Sequence, residues 1–321
     1  MSEAGDPTRK YFDIRNAVGQ FLPLPPLPLP QPKPKMSVGP ITMHFACDLE
    51  GIIRTSGRAS VASVYPLSFE DVNHGHGLMA YMTNITFRTA NPAVLKVPGL
   101  RDRGYIYVDE VYKGILSRMD NVFEILLHIK QGSALTILVE NQGRVSVGPG
   151  TLDRKGIISD VTLGERVLTH WLMLPIPTDV DRVVIESPNI TALSDSHHNT
   201  AGLGVYVAMF TLLVSAPRDT FLKLDGWTKG FAFLNGRPLG RYWPEQGPQV
   251  TLYVPSVYFQ QHNTVVVIEQ EEAPCGPSQS CSISFVSEPQ INGPVPENIK
   301  QLEILRHRRV ARGTVQATVE A

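Results

Sequence analysis

The sequence predicts an all-β protein built from two β-sandwich domains, and three observations carry that expectation. From residue 37 onward, short β-branched and aromatic runs (YIYVDEVYKGIL, LTILVEN, VTLYVPS, TVVVIEQ, SISFVSE) are cut by Gly, Pro, Asn and Asp, the punctuation of strands and turns. Residues 105–116 (YIYVDEVYKGIL) overlay residues 231–242 (FAFLNGRPLGRY), with aromatics at the first and third places, an aliphatic at the fourth, Asp or Asn at the fifth and Gly at the tenth. A second strand follows each copy about thirty residues later, at 135–141 and 264–270. A period of 126 residues is too long for a solenoid and fits two copies of one sandwich. The two hairpins are expected to turn at Asp109-Glu110 and Asn235-Gly236, the latter being the preferred type I′ pair.

Ahead of the strands, Tyr11, Phe12, Ile14 and Val18 fall on one face of a helix predicted over 9–20, after an Asp6-Pro7-Thr8 start signal. Residues 21–36, FLPLPPLPLPQPKPKM, have Pro at nearly every second place, which favours an extended polyproline path and a semi-rigid spacer. The 321 residues, 42% of them hydrophobic, suffice for two cores. With 29 Lys and Arg against 30 Asp and Glu, no global field draws in nucleic acid or an anionic membrane. The longest apolar run, VYVAMFTLLV, has ten residues, half of the roughly 20 that a spanning helix needs. The opening MSEAGDPTRKYFDIRN has charges where a signal peptide needs an apolar stretch, so the chain as written is expected to carry no secretion signal.

Of three cysteines, Cys275 and Cys281 flank the Gly/Pro/Ser loop GPSQS and are expected to form a disulfide, leaving Cys47 over. Asn84 and Asn189 stand in glycosylation sequons. His74 and His76 (NHGHG) and His197 and His198 (DSHHN) have no carboxylate or thiolate at ligand spacing and read as loop histidines, so no metal is assigned. The basic ending 299–313 reads as a solvated tail. Trp227, Arg241, Tyr242 and Trp243 form the densest aromatic motif. Exposed beside polar groups they would hold a sugar; the structural reading, in which the tryptophans fill a core or cover an inter-domain seam, is favoured because the first copy keeps the hairpin without the Gly-Arg-Tyr-Trp ending.

The motifs at 2–16, 102–116, 138–145, 226–255 and 273–275, in order along the chain, resemble the C-terminal half of a glycoside hydrolase family 35 β-galactosidase of the animal lysosomal type. The resemblance implies two jelly-roll, galactose-binding-like domains that follow a catalytic barrel in the same polypeptide of relatives. The expected layout is a remnant of the barrel end and its helix at 1–20, the linker at 21–36, a first β-domain at 37–164, a second at 165–290 and a tail at 291–321. It further implies hydrolysis of terminal β-linked galactose, galactosides as partners and a lysosomal or extracellular location; a homodimer is left open. A retaining glycosidase needs an acid and a nucleophilic carboxylate about 5–5.5 Å apart on a rigid frame. No position here matches either of the family's glutamates, so no catalytic residue and no cofactor is assigned, and the chain alone is expected to be inactive. The loop after ENQGRV, which in the family reaches toward the barrel's mouth, has Val147 and Gly150 where relatives carry tyrosines. The alternatives are a non-catalytic carbohydrate-binding or scaffolding module, and a truncated product that exposes the apolar surface a barrel would cover.

Overall fold

A computed structural model describes residues 1–55, 59–176, 201–214, 216–275 and 280–294. Asn189, His197, His198 and the basic segment 299–313 lie outside the described residues. The leading helix α1 spans Arg9–Gly19, capped by Thr8, whose side chain accepts from the Tyr11 N–H. It buries no residue. The Pro-rich stretch folds back rather than running free: the Asp6 carboxylate accepts from Lys35 Nζ at 2.9 Å and from the Lys33 N–H at 3.1 Å, and the Met36 N–H donates to Asp219 O. A second helix, α2 (Leu49–Thr55), is absent from the strand pattern read in the sequence. Asp48 starts it by accepting from the Gly51 N–H at 2.9 Å, and its Leu49 and Ile52 are buried.

Among the described residues, four sheets and a two-stranded ribbon surround three apolar clusters. The first sandwich pairs a four-stranded sheet, in the order β13 (Arg166–Val167), β12 (Thr162–Leu163), β5 (Ala93–Lys96), β9 (Glu124–Leu127), with a six-stranded one, in the order β3 (Val61–Ser63), β14 (Trp171–Ile176), β4 (Leu78–Asn84), β10 (Ala134–Glu140), β7 (Arg103–Val108), β8 (Val111–Ser117). A ribbon of β6 (Leu100–Arg101) and β11 (Gly156–Ile157) closes one end. The second sandwich pairs a five-stranded sheet, β18 (Arg237–Tyr242), β17 (Gly230–Leu234), β20 (His262–Glu269), β15 (Gly204–Thr211), β2 (His44–Asp48), with a four-stranded one, β1 (Val38–Thr42), β21 (Ser282–Val286), β16 (Thr220–Lys223), β19 (Leu252–Val254). Every pairing is antiparallel.

The strands cross the expected boundaries in both directions. β1 and β2, inside 37–164, complete the second sandwich by pairing with β21 and β15. β14, past residue 164, lies in the first sandwich between β3 and β4. Sequence order misleads here because a strand joins whichever sheet buries its apolar face, and Ile41 and Met173 pack into opposite sandwiches.

The central layer explains why several strands read as continuous apolar runs. Along β7, Ile106 and Val108 point into the first sandwich while Tyr105 and Tyr107 point at the second. On the other side Ala232, Val265 and Val267 fill the second sandwich, and Phe233, Val266 and Ile268 face back. The six-stranded and five-stranded sheets thus share a core with Tyr105, Tyr107, Leu138, Val205, Phe233 and Ile268; strands buried on both faces lose polar alternation. The repeat is visible in backbone detail. Both hairpins close on two residues at positive φ, Asp109-Glu110 (49°, 68°) and Asn235-Gly236 (51°, 75°). Both carry an irregularity at the equivalent step, Ile106/Tyr107 and Ala232/Phe233.

Candidate functional site

Polar chemistry concentrates at one end of the central layer, where β10 and β20 finish. Two positions before the first aromatic of each repeat stands a cation, Arg103 in one copy and Lys229 in the other, and each crosses the seam. Lys229 is fully buried and donates from Nζ to Glu140 Oε2, to Gln270 Oε1 (2.9 Å) and to Tyr105 Oη (3.3 Å). Arg103 donates from Nε to Glu271 Oε1 at 2.9 Å. The Trp243 ring lies by both cations, 4.8 Å from Lys229 Nζ and 5.2 Å from Arg103 Cζ. Burial pushes the Lys229 pKa down and Glu140 opposes it.

Glu269, also fully buried, accepts from the N–H groups of Thr228, Lys229, Gln270 and Glu271 and from Tyr242 Oη at 3.0 Å. Burial raises its pKa to about 7 against those donors. A raised carboxylate suits a general acid, but one enclosed by its own backbone cannot reach a substrate. Its role here is to tie the backbone entering β17 to the backbone leaving β20.

The other carboxylates that converge are Asp102 and Asp153. Lys155 Nζ lies 2.8 Å from Asp102 and 2.9 Å from Asp153, and Arg118 Nη1 lies 3.1 Å and 2.6 Å from the same two groups. Burial raises the Asp153 pKa, but Arg118 and Lys155 outweigh it and hold the group below its ordinary value. Asp153 so held is a poor proton donor, and the cluster in which Arg118 and Lys155 each bind both carboxylates is a brace for the loop 141–155. Asp109 and Glu110 form the hairpin turn.

That loop borders three clefts that meet at Arg144. One of about 640 Å³ lies toward Arg118 and Asp153, one of about 660 Å³ toward Glu70 and His74, and one of about 250 Å³ toward Phe231 and Arg241 of the second sandwich. Arg144 pairs with Glu70 and donates from Nε to Asp153 O at 2.8 Å. On the outer side Val147 and Leu152 are 83% and 84% exposed.

The sequence-predicted residues divide among these places. Trp227 is buried in the second sandwich, its ring edge-on to Tyr206 at 4.9 Å and its Nε1–H donated to Ser282 O. Tyr242 is buried against Glu269, Trp243 sits half-buried in the seam, and Arg241 lies at the rim of the smallest cleft. Cys275 and Cys281 are bonded, with Cα atoms 4.8 Å apart, and Asn84 is exposed at the end of β4. His74 is buried, stacked on Phe69 at 5.1 Å, with Nε2 by Leu78 O at 3.0 Å; His76 is exposed. Among the described residues no cluster of three His, Cys, Asp or Glu could hold a metal, and no helix is long and apolar enough to cross a membrane. The Lys229–Glu140 and Lys155–Asp102 pairs escaped sequence reading; a lysine inside the apolar, aromatic GWTKGF was the available signal.

Fold and site together define a tandem of jelly-roll β-domains joined by a buried, ion-paired seam. Residues 66–177 match the family model described as β-galactosidase, first all-beta domain, and residues 204–264 match β-galactosidase, galactose-binding domain. The chain is 37% identical over 310 residues to the β-galactosidase of Bos taurus, 36% over 316 residues to that of Homo sapiens, and 37% over 297 residues to the β-galactosidase-1-like protein of Mus musculus. These alignments cover 90–92% of this chain and 45–47% of the relatives, so the chain spans about half the length of the curated relatives it matches. It carries the non-catalytic β-domains of the β-galactosidase family. A Pleurotus ostreatus lectin structure matches 78% of this chain and 79% of its own at 10% identity with a TM-score of 0.25, a likeness too remote to carry any argument.

Proposed function

We propose that these domains serve a glycoside hydrolase of family 35 that releases terminal β-linked galactose, working in cis beside a catalytic barrel in a lysosomal or secreted enzyme. The observation that carries this reading is the order and register of the two β-galactosidase domains over one chain, with identity to animal enzymes running through both. The braced loop 141–155 supports it. Its exposed Val147 and Leu152 offer an apolar surface for a neighbouring domain, and the Asp102–Lys155–Asp153–Arg118 cluster holds its base rigid. Chemistry then belongs to the barrel, and these domains stabilise and position it.

The test is turnover of a chromogenic β-galactoside, at acid and neutral pH, by the 321-residue chain and by a polypeptide joining it to a relative's barrel. Activity only in the joined protein is expected. Turnover by the 321 residues alone, or a joined protein that folds yet stays inactive, overturns the reading.

A further inference from the structure

The smallest cleft differs from its neighbours in composition. It lies between the sandwiches, encloses about 250 Å³, and is lined by His76, Asn141, Gln142, Arg144, Phe231 and Arg241 with the glycines between them. No carboxylate lines it. Two carboxylates that pair with its lining arginines are each engaged: Glu70 by Arg144, and fully buried Glu140 by Lys229 and Arg241 Nε (3.2 Å) together. Arg241 both lines the cleft and shares Glu140 with Lys229, so its guanidinium is only partly neutralised by that carboxylate.

Donors outnumber acceptors as well. Arg241 Nη2 donates to Asn141 O at 3.3 Å, and Arg144 uses Nε and Nη2 on Asp153 O and Glu70, so each guanidinium keeps Nη1 without a protein acceptor among the described residues. The backbone N–H groups of Gly75, His76 and Gly77 likewise reach no protein acceptor among the described residues. Donor N–H groups on a glycine-bearing loop that lines the same cleft as two guanidinium groups supply the parts of an anion-binding arrangement. The volume exceeds that of a bare inorganic ion and suits one sugar ring, and Phe231 on the wall offers an apolar surface for the C–H face of such a ring. Arg241 Cζ lies over the Phe231 ring, 5.4 Å from its centroid, so the guanidinium covers one of its faces and charge and apolar surface meet on the same wall.

We propose that this inter-domain cleft binds a monosaccharide unit bearing a sulfate or carboxylate group, the anion held by Arg144, Arg241 and the Gly75–Gly77 N–H groups. The proposal does not depend on the hydrolase reading.

Calorimetric titration of the 321-residue chain with galactose 6-sulfate, galactose and inorganic sulfate tests it. Galactose 6-sulfate is expected to bind at least about tenfold more tightly than either of the others, the increment of one charge-assisted contact set. His76→Glu, which adds a carboxylate at an exposed position, is expected to weaken it by about tenfold with the thermal midpoint unchanged; Arg144→Gln, which also gives up the contacts to Glu70 and Asp153 O, is expected to weaken it by about tenfold in a chain that still unfolds cooperatively. Equal affinity for galactose and its sulfate, inorganic sulfate binding as tightly as the sugar sulfate, no binding of galactose 6-sulfate, or full affinity in both variants would each overturn the proposal. Selectivity of the chain for the sulfated sugar would sustain this site whatever the outcome of the turnover assay.

Discussion

Replacing Lys229 with Met isolates the energetics of the seam. Lys229 and Glu140 are both fully buried and belong to different sandwiches. Met retains most of the stem volume and removes the charge, leaving the Glu140 carboxylate with Arg241 Nε at 3.2 Å and Gln142 Nε2 at 3.2 Å. Removing one partner of a buried pair typically costs about 3–5 kcal/mol, because the other charge is left desolvated. The remaining donors put Lys229→Met near the lower end, about 3 kcal/mol. The two sandwiches share the central apolar cluster, so they are expected to unfold together. At roughly 2.1 cal/mol/K per residue over roughly 220 residues of the two sandwiches, the midpoint falls by about 6 °C.

Differential scanning calorimetry reads this directly, with Lys229→Met/Glu140→Leu as the control. Removing both charges is expected to recover at least half of the loss, since an apolar pair avoids the desolvation that the ion pair must offset. A single variant within about 1 °C of the parent would refute the reasoning, and so would a double variant no better than the single one. Two separated transitions in the parent would refute the shared-core argument independently.

Three further outcomes follow from named contacts. Glu269 has a folded pKa raised by burial to about 7 from an ordinary 4.5, so the folded chain binds an extra proton between those values and stability rises as pH falls from 7.5 to 5, by no more than about 3 kcal/mol. Asp6, Asp71 and Asp153, held below their ordinary 3.8, act oppositely and withdraw stability below that range. Thermal midpoints at pH 5 and 7.5 check this, and Glu269→Gln should abolish the rise; a parent that is no more stable at pH 5 contradicts it. Trp227→Ala empties a site packed by Tyr206 and strips a donor from Ser282 O, and should cost about 3–5 kcal/mol by urea denaturation; a loss under about 1 kcal/mol would mean that the ring is not a core element. Gly230→Ala would drive a methyl against the Ile268 carbonyl and within 2.6 Å of Tyr242 Oη, for a loss of about 1–3 kcal/mol; an unchanged denaturation curve argues against that close approach.

Strand content and repeat were legible because they rest on local chemistry. Apolar alternation, Asn235-Gly236 and the paired aromatics each act within a few residues, and the hairpins and their matching irregularities follow from them. The membership of β1, β2 and β14 was not legible. A five-residue strand such as VGPIT carries no mark of the sheet that will take it; that depends on which edge is open after the rest has folded. Helix α2 was hidden for a related reason, since DLEGIIRT combines a capping Asp with two isoleucines that suit a strand equally well.

The site shows the same limit more sharply. Arg103 and Lys229 occupy one repeat position, so their presence could be read by extending the overlay two residues upstream. Their partners could not, because each pairs with a carboxylate of the other sandwich, Arg103 with Glu271 and Lys229 with Glu140. A charge buried in one copy is satisfied only when the second copy is docked in one orientation, whereas apolar faces alone tolerate sliding. The exchanged ion pairs therefore favour one docking of the two sheets over its slid alternatives, in which a buried charge would be left without its partner.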